Sequence, residues 1–140
     1  MRKLLLLMVL ISFPVLAKWT DKVKSHLPQQ LHSLAIGKTD REGARTALGK
    51  PDLVRGDREY WVMDGFKYAV ELTYVRNKLT SIHYNFPKKK LNIDVLKTDI
   101  DPRLLKSSPS APHTNLSYED KAGKLEIELT SGDVESVRFQ

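Results

Sequence analysis

The chain contains no cysteine, and its seven glycines stand singly rather than in clusters. Without cysteine there can be no disulfide, no thiolate metal site, no thiol nucleophile and no lipid attached to an N-terminal cysteine. Isolated glycines also argue against the glycine-rich loops that cradle phosphate groups. If the chain is exported, its hydrophobic core alone must hold the fold together.

Motifs of common hydrolases and metal sites are missing too. There is no Gly-x-Ser-x-Gly nucleophile motif, and no His-x-x-x-His spacing relates the four histidines, His26, His32, His83 and His113. The sequence therefore predicts no metal site and no cofactor. The formal net charge of +6 comes from interspersed charges of both signs, which favours a solvated surface over nucleic-acid binding.

The first 17 residues have the pattern of a secretory signal peptide. Two basic residues precede the apolar run 4–11, and Ala17 ends a short segment of small or branched residues. The apolar run is too short to span a bilayer. We expect cleavage near Ala17 and a soluble periplasmic or secreted protein, residues 18–140, that forms a single domain.

Two segments of the chain recur. Residues 70–73 (Val-Glu-Leu-Thr) reappear as residues 127–130 (Ile-Glu-Leu-Thr), and residues 79–84 reappear as residues 134–139. Internal similarity of this kind predicts a tandem duplication.

The duplication predicts two repeats within the one domain, at about 31–86 and 91–140. Matched residues keep the same alternation along their strands, so they should occupy corresponding core positions. The expected pairs are Val70 with Ile127, Leu72 with Leu129, and Ile82 with Val137.

Helical periodicity dominates the chain up to residue 50. Between residues 19 and 34, apolar side chains recur every three or four positions, with an interruption at Pro28. Thr39 and Glu42 have the spacing of a capping box, and the helix that they open should end at Gly49.

The period then changes to two, as in β-strands. Residues 66–75 alternate between the two faces of a strand, and Asp64-Gly65 before them predicts a hairpin turn. A brief helix at 101–106 and a polar loop at 107–115 separate the two sets of strands. The six expected strands are 60–63, 66–75, 79–86, 116–119, 124–130 and 134–139.

These patterns predict an α+β fold: tandem helix-plus-three-strand units, with the helices packed on one face of an antiparallel sheet. The expected core comprises Leu34, Ala44, Ala47, Leu48, Tyr68, Val70, Leu72, Ile82, Tyr84, Leu125, Ile127, Leu129, Val137 and Phe139.

The opposite sheet face should be polar and uncovered, and we expect it to bind a protein partner. Trp61 joins that face if Tyr60 and Val62 face the helices. If the strand has the opposite phase, Trp61 lies in the core, and the sequence leaves both alternatives open. Exposed aromatic residues in a polar rim are typical anchors of protein interfaces. The candidate binding residues are Glu71, Thr73, Ser81, His83, Glu126, Glu128, Ser136, Arg138 and Trp61.

Part of the first repeat resembles the SmpA/OmlA group of small bacterial envelope proteins. Residues 37–42 fit its Gly-x-Thr-x-x-Glu helix start, and residues 48–51 fit its Leu-Gly-x-Pro helix end. The resemblance covers residues 31–86 well and the second copy weakly, and the tandem arrangement is similar to that of the β-lactamase inhibitor proteins.

The resemblance implies an envelope protein that binds other proteins. The SmpA/OmlA proteins support outer-membrane protein assembly, whereas the tandem inhibitors hold an enzyme against a concave sheet face. This chain lacks the acylated cysteine of the first group and the disulfide cysteines of the second. No specific partner and no functional residue is therefore carried over.

We accordingly expect a binding protein rather than an enzyme, with an envelope or secreted protein as its partner. The rival hypothesis is an envelope enzyme that acts on cell-wall material through Glu71, His83, Glu126 and Glu128. Glu126 and Glu128 could form a glycosidase-like pair, but an exposed strand face offers no apolar environment to raise one pKa. Weak contact with an anionic surface is expected from one basic cluster, Lys88, Lys89 and Lys90.

Overall fold

The computed structural model describes residues 19–87, 91–110 and 113–140. The predicted signal peptide (1–17) and the basic cluster at residues 88–90 lie outside the described residues. Within the described ranges, no helix has the length and apolar character needed to cross a membrane.

In the described residues, eight strands form one antiparallel sheet in the order β1-β2-β3-β4-β8-β7-β6-β5. Each half of the chain contributes a four-stranded meander, and β4 pairs with β8 at the centre. The strands are β1 (Leu53–Arg55), β2 (Arg58–Met63), β3 (Phe66–Val75), β4 (Lys78–Asn85), β5 (Lys106–Ser110), β6 (His113–Asp120), β7 (Gly123–Thr130) and β8 (Asp133–Phe139). The helices are α1 (Trp19–Lys24), α2 (Arg41–Leu48) and α3 (Ile93–Lys97), with 3-10 turns at Gln29–Leu31 and Pro102–Leu104.

The predicted fold class, tandem helix-plus-three-strand units with helices packed on one face of the sheet, is wrong. The described part of the chain is mostly one eight-stranded sheet, and its three α-helices are short and form no clear layer. Both outermost strands were missed: β1 has only three residues, and β5 lies where a loop was expected. β5 is polar and contains Pro109, which an edge strand tolerates because one row of its N–H groups has no ladder partner.

The two central hairpins, β3–β4 and β7–β8, are built alike. Two residues connect the strands in each, 76–77 in the first and 131–132 in the second. Each second strand also carries one extra residue at a bulge, Thr80 in β4 and Glu135 in β8. The hairpins therefore match residue for residue around their turns.

This common register corrects two of the expected core pairs. The predicted pairs Val70–Ile127 and Leu72–Leu129 are displaced by two residues, because the connecting turns have equal lengths. Leu72 instead occupies the position of Ile127, whereas the pair Ile82–Val137 keeps its correspondence. The duplication itself stays a prediction.

One hydrophobic cluster holds the described chain together. Leu72, Leu79 and Leu125 are fully buried in it, and each such side chain contributes about 1.5–3 kcal/mol by leaving water. The same cluster contains buried residues from the helical segments, namely Val23, Leu27, Leu31, Leu34 and Ala44.

Helix α2 begins one residue later than the capping box predicted. Asp40 is its N-cap and accepts a hydrogen bond from the backbone N–H of Gly43 at 2.7 Å. The Thr39 hydroxyl instead accepts from the N–H of Ala35 at 2.9 Å, which closes the preceding turn. The prediction of Thr39 as the cap was therefore wrong by one residue, since Asp is as good a cap as Thr. The helix ends at Gly49 with φ 81°, as predicted.

Tyr68 is exposed, although the alternation placed it in the core. Its backbone has φ 56°, and the β2–β3 register shifts between Trp61 and Met63, so the side chain leaves the regular alternation. Its ring contacts Tyr60 edge-to-face with a centroid separation of 5.4 Å. The buried part of β3 therefore begins at Ala69, and its regular core face continues with Val70, Leu72 and Tyr74.

Candidate functional site

Four polar residues from four neighbouring strands lie side by side across the centre of the sheet. In strand order they are Glu71 (β3), His83 (β4), Arg138 (β8) and Glu126 (β7), and each is directly opposite the next. Directly opposite residues of antiparallel strands share a face and lie within contact distance of each other. We call these four residues the central row.

Eight of the nine predicted binding residues lie on the face that carries the central row. Thr73 and Ser81 are directly opposite each other on one side of the row, and Glu128 and Ser136 are directly opposite each other on the other. The face is less open than expected, since Ser81 and Ser136 are buried and the Glu71 side chain is only 15% exposed.

Trp61, the ninth residue, is in the core. It pairs with Val70 and is 2% exposed, and its indole N–H donates a 3.0 Å hydrogen bond to the carbonyl of Gly49. The hypothesis that Trp61 anchors a partner on the polar face is therefore wrong. Its neighbour Tyr60 pairs with Glu71 and extends the central row toward β1.

Arg138 is the central cation of the face, and its nearest carboxylate among the described residues is that of Glu71, at the long distance of 4.0 Å. Its guanidinium donates to Nδ1 of His83 at 3.3 Å and to the Ser81 hydroxyl at 3.5 Å, both long hydrogen bonds. Oε1 of Glu71 lies 4.0 Å from Arg138 and 3.8 Å from Arg58. That oxygen is buried and has no hydrogen-bond partner in the described structure. The central charges are thus placed together but incompletely satisfied.

His83 is held in its neutral form. Burial lowers the pKa of the imidazole, and the positive charge of Arg138 lowers it further, while Glu71 and Glu126 act in the opposite direction. Because guanidinium nitrogens can only donate, Nδ1 of His83 must accept the hydrogen bond from Arg138. The proton of neutral His83 is then on Nε2.

A cleft of about 460 Å³ lies beside the central row, over the second half of the sheet. Most of its lining is polar, and its floor follows strands β6, β7 and β8. The Glu126 and Lys124 side chains, 3.1 Å apart, are 45% and 39% exposed, so the cleft is open to solvent. The lining includes His83, Asn115, Ser117, Glu126, Glu128 and Arg138.

A second polar cluster occupies the end of β6, β7 and β8 near the β7–β8 turn. Nδ1 of His113 lies 3.2 Å from a carboxylate oxygen of Glu135 and 3.7 Å from one of Glu128. The Thr130 hydroxyl donates to Glu135 and lies 3.0 Å from Nδ1 of His113. Burial and a hydrogen bond with Glu135 raise the pKa of Glu128, although His113 opposes that shift.

Sequence reasoning missed His113, Glu135, Arg58 and Tyr60 as members of this face. Spacing along the chain could not reveal them, because the sheet register brings together residues from different strands. In a regular strand, Glu135 would point to the opposite face from its neighbour Ser136. The bulge removes this alternation at Glu135. Arg58 and Tyr60 follow from the β2–β3 register once Trp61 is placed in the core.

Comparison with known proteins finds one solved structure with a similar fold. No family model matches the chain, and no curated protein matches it. The resemblance to the SmpA/OmlA proteins and the β-lactamase inhibitor proteins thus stays a prediction. The solved structure of a DUF4309 family protein (YjgB) from Bacillus subtilis superposes with a TM-score of 0.63 over 87% of this chain and 91% of its own. At 16% sequence identity, this likeness shows a shared fold and nothing about activity.

Proposed function

We propose that this chain is an exported binding protein that engages a protein partner through the polar face of its sheet. The observation that carries the proposal is the incomplete pairing of the central row. Arg138 is 29% exposed and has its nearest described carboxylate at 4.0 Å, while a buried oxygen of Glu71 has no hydrogen-bond partner among the described residues.

An incompletely satisfied charge costs stability, so a fold has little reason to keep one unless a ligand completes it. A partner that presents a carboxylate or a backbone carbonyl to Arg138 would give the guanidinium a short, charge-assisted hydrogen bond. A donor from the same partner would satisfy Oε1 of Glu71. Arginine is also enriched among the residues that dominate binding energy at protein interfaces.

The mixed charges of the face favour a protein over a polyanion. Glu71, Glu126 and Glu128 lie among Arg58, Lys124 and Arg138, so a partner of one sign would meet repulsion as well as attraction. Complementary charge patterns of this kind select one partner and set the rate of encounter. An enzyme that the chain inhibits and an assembly factor of the envelope both fit this description.

Export is part of the proposal and is supported by the sequence pattern of residues 1–17. Mass analysis of the protein recovered from its native host tests it. A mature chain that begins near Lys18 and carries no acyl group agrees with export as a soluble protein. An intact N-terminus contradicts it.

The partner can be identified with the mature chain itself. Tagged chain is recovered from its native envelope at low and at high salt, and co-purifying proteins are identified by mass spectrometry. We expect one protein at near-equal amount, with less recovered as salt rises, because rim charges act mainly on encounter. Recovery of the chain alone under both conditions contradicts the proposal.

One observation favours the rival enzyme: Glu126, Glu128 and His83 line the same cleft. A glycosidase-like mechanism needs one carboxyl group that stays protonated, and burial raises the pKa of Glu128 in that direction, but both glutamate side chains are more than 40% exposed. Purified chain can be incubated with cell-wall polymer, with Glu126→Gln and Glu128→Gln variants as controls. Release of fragments that either variant abolishes would favour the enzyme.

A further inference from the structure

We propose that His113, Glu128 and Glu135 form a binding site for a divalent metal ion of the zinc class. One imidazole and two carboxylates make a donor set typical of zinc. Their ligand atoms lie within 4.8 Å of one another. This inference concerns ion binding alone, so it does not depend on the proposed protein partner.

The measured separations fit tetrahedral coordination. With donor atoms at about 2.0–2.2 Å from zinc, neighbouring ligands of a tetrahedron are about 3.4 Å apart. Nδ1 of His113 lies 3.2 Å from Glu135 and 3.7 Å from Glu128, on either side of that value. The two carboxylates would balance the charge of the ion while His113 binds it as a neutral imidazole.

The bulge in β8 creates this arrangement. Glu128 pairs with Ser136 and Leu129 pairs with Val134, so Glu135 is the extra residue that the bulge inserts into β8. A bulge of this kind redirects one side chain. Here it brings the Glu135 carboxylate to the side of the sheet that Glu128 and His113 occupy.

The first half of the sheet provides an internal comparison. The β3–β4 hairpin has the same turn length and the same bulge, but Thr73 and Thr80 stand where Glu128 and Glu135 stand in the second half. The hairpin therefore folds without carboxylates at these positions. The two neighbouring carboxylates of Glu128 and Glu135 are therefore not needed to form the turn or the bulge.

Thr130 lies among the proposed ligand atoms. Its hydroxyl donates to Glu135 and lies 3.0 Å from Nδ1 of His113, so without an ion it holds the histidine and the glutamate close together. An ion bound at Nδ1 would replace the contact between that nitrogen and Thr130. The three side chains are 40–42% exposed, so an ion can enter from solvent and keep an open coordination position.

Zinc fits these donors better than calcium or magnesium. Calcium takes six to eight oxygen ligands, and magnesium demands near-octahedral oxygen coordination. The cluster offers one nitrogen and two carboxylates from described residues. Imidazole shifts the preference toward zinc and similar transition metals.

The test is titration of tag-free, chelator-treated mature chain with Zn²⁺ by calorimetry. We expect saturable one-to-one binding, weakened more than tenfold by His113→Ala and by Glu135→Gln. Two exposed residues outside the cluster supply matched controls, His32→Ala and Glu119→Gln, and these should bind as wild type does. Circular dichroism checks that every variant is folded.

Two results would overturn the site. One is the absence of saturable Zn²⁺ binding by the wild-type chain. The other is equal binding by wild type and by the folded His113→Ala and Glu135→Gln variants. Visible absorption of the Co²⁺-loaded chain adds a geometric readout, because tetrahedral coordination gives a strong band that Glu135→Gln should reduce.

Discussion

His83 and Arg138 lie directly opposite each other on the two central strands, with the guanidinium 3.3 Å from Nδ1 of the imidazole. Glu71 flanks His83 on one side, and Glu126 flanks Arg138 on the other. Because the two hairpins share one register, these flanking glutamates occupy equivalent positions. The central row is therefore nearly symmetric about its midpoint. A glutamate stands at each end, and only the two middle residues differ, histidine in one half and arginine in the other.

The first prediction concerns the pH dependence of stability. The pKa of His83 is lowered in the folded chain, so below its ordinary value of about 6.5 the unfolded chain binds a proton more readily than the folded chain. His83 therefore makes the free energy of unfolding fall as the pH drops through this range. The His83→Gln variant should lose less stability than wild type between about pH 7.5 and 5.5 in denaturant titrations. Equal losses would contradict the assignment of a neutral, half-buried His83.

The second prediction concerns the core. Leu72 is fully buried, and Leu72→Ala should lower the free energy of unfolding by about 2–5 kcal/mol because it leaves a cavity. Val75 is 55% exposed on the same strand and supplies the control. Val75→Ala should change stability by less than about 0.5 kcal/mol. Similar losses for the two variants in urea unfolding would show that this face of β3 is misplaced.

The third prediction concerns Trp61. Trp61→Phe removes the indole donor and leaves the Gly49 carbonyl without that bond, so it should cost about 1–3 kcal/mol. Phe66→Leu, at an exposed aromatic position of the next strand, should be nearly neutral. If Trp61→Phe unfolds at the same denaturant concentration as wild type, the indole is not buried against α2.

The fourth prediction concerns Glu59, a carboxylate with no solvent exposure. It accepts hydrogen bonds from Arg41 at 3.1 Å and from Arg45, which join β2 to helix α2. Glu59→Gln weakens both charge-assisted contacts and should cost about 1.5–3 kcal/mol. The exposed Glu42→Gln on the same helix is the control. Equal thermal stability of the two variants would contradict a buried ionic link between α2 and the sheet.

Strand periodicity predicted most of the sheet, because alternation in β3, β4, β7 and β8 is strong. It missed β1 and β5, since edge strands face solvent on more sides and carry no apolar alternation. It also overextended the core face to Tyr68, where a positive φ angle breaks the alternation. The alternation of apolar and polar residues along the sequence cannot reveal such a backbone irregularity.

The residues of the polar face could be predicted from the sequence, but the strand pairing that brings the two halves of the face together could not. Alternation alone placed Glu71, His83, Glu126 and Arg138 on one side of the sheet. The pairing of β4 with β8 joins the two halves, and no local signal in either strand specifies it. The cluster of His113, Glu128 and Glu135 depends further on a bulge, so the spacing of histidines along the chain could not reveal it.

The most direct test of the binding proposal compares capture of the partner by two fourfold alanine variants. The first replaces Glu71, His83, Glu128 and Arg138 on the polar face. The second replaces the same residue types at exposed positions elsewhere: Glu42, His32, Glu119 and Arg55. Both must show a cooperative thermal transition before they are compared.

Tagged wild-type chain and both variants are exposed to the native envelope extract, and the captured partner is quantified. We expect the control variant to retain the partner and the polar-face variant to lose most of it, with the larger loss at low salt. Equal capture by the folded polar-face variant and wild type would contradict the assignment of this face as the binding site.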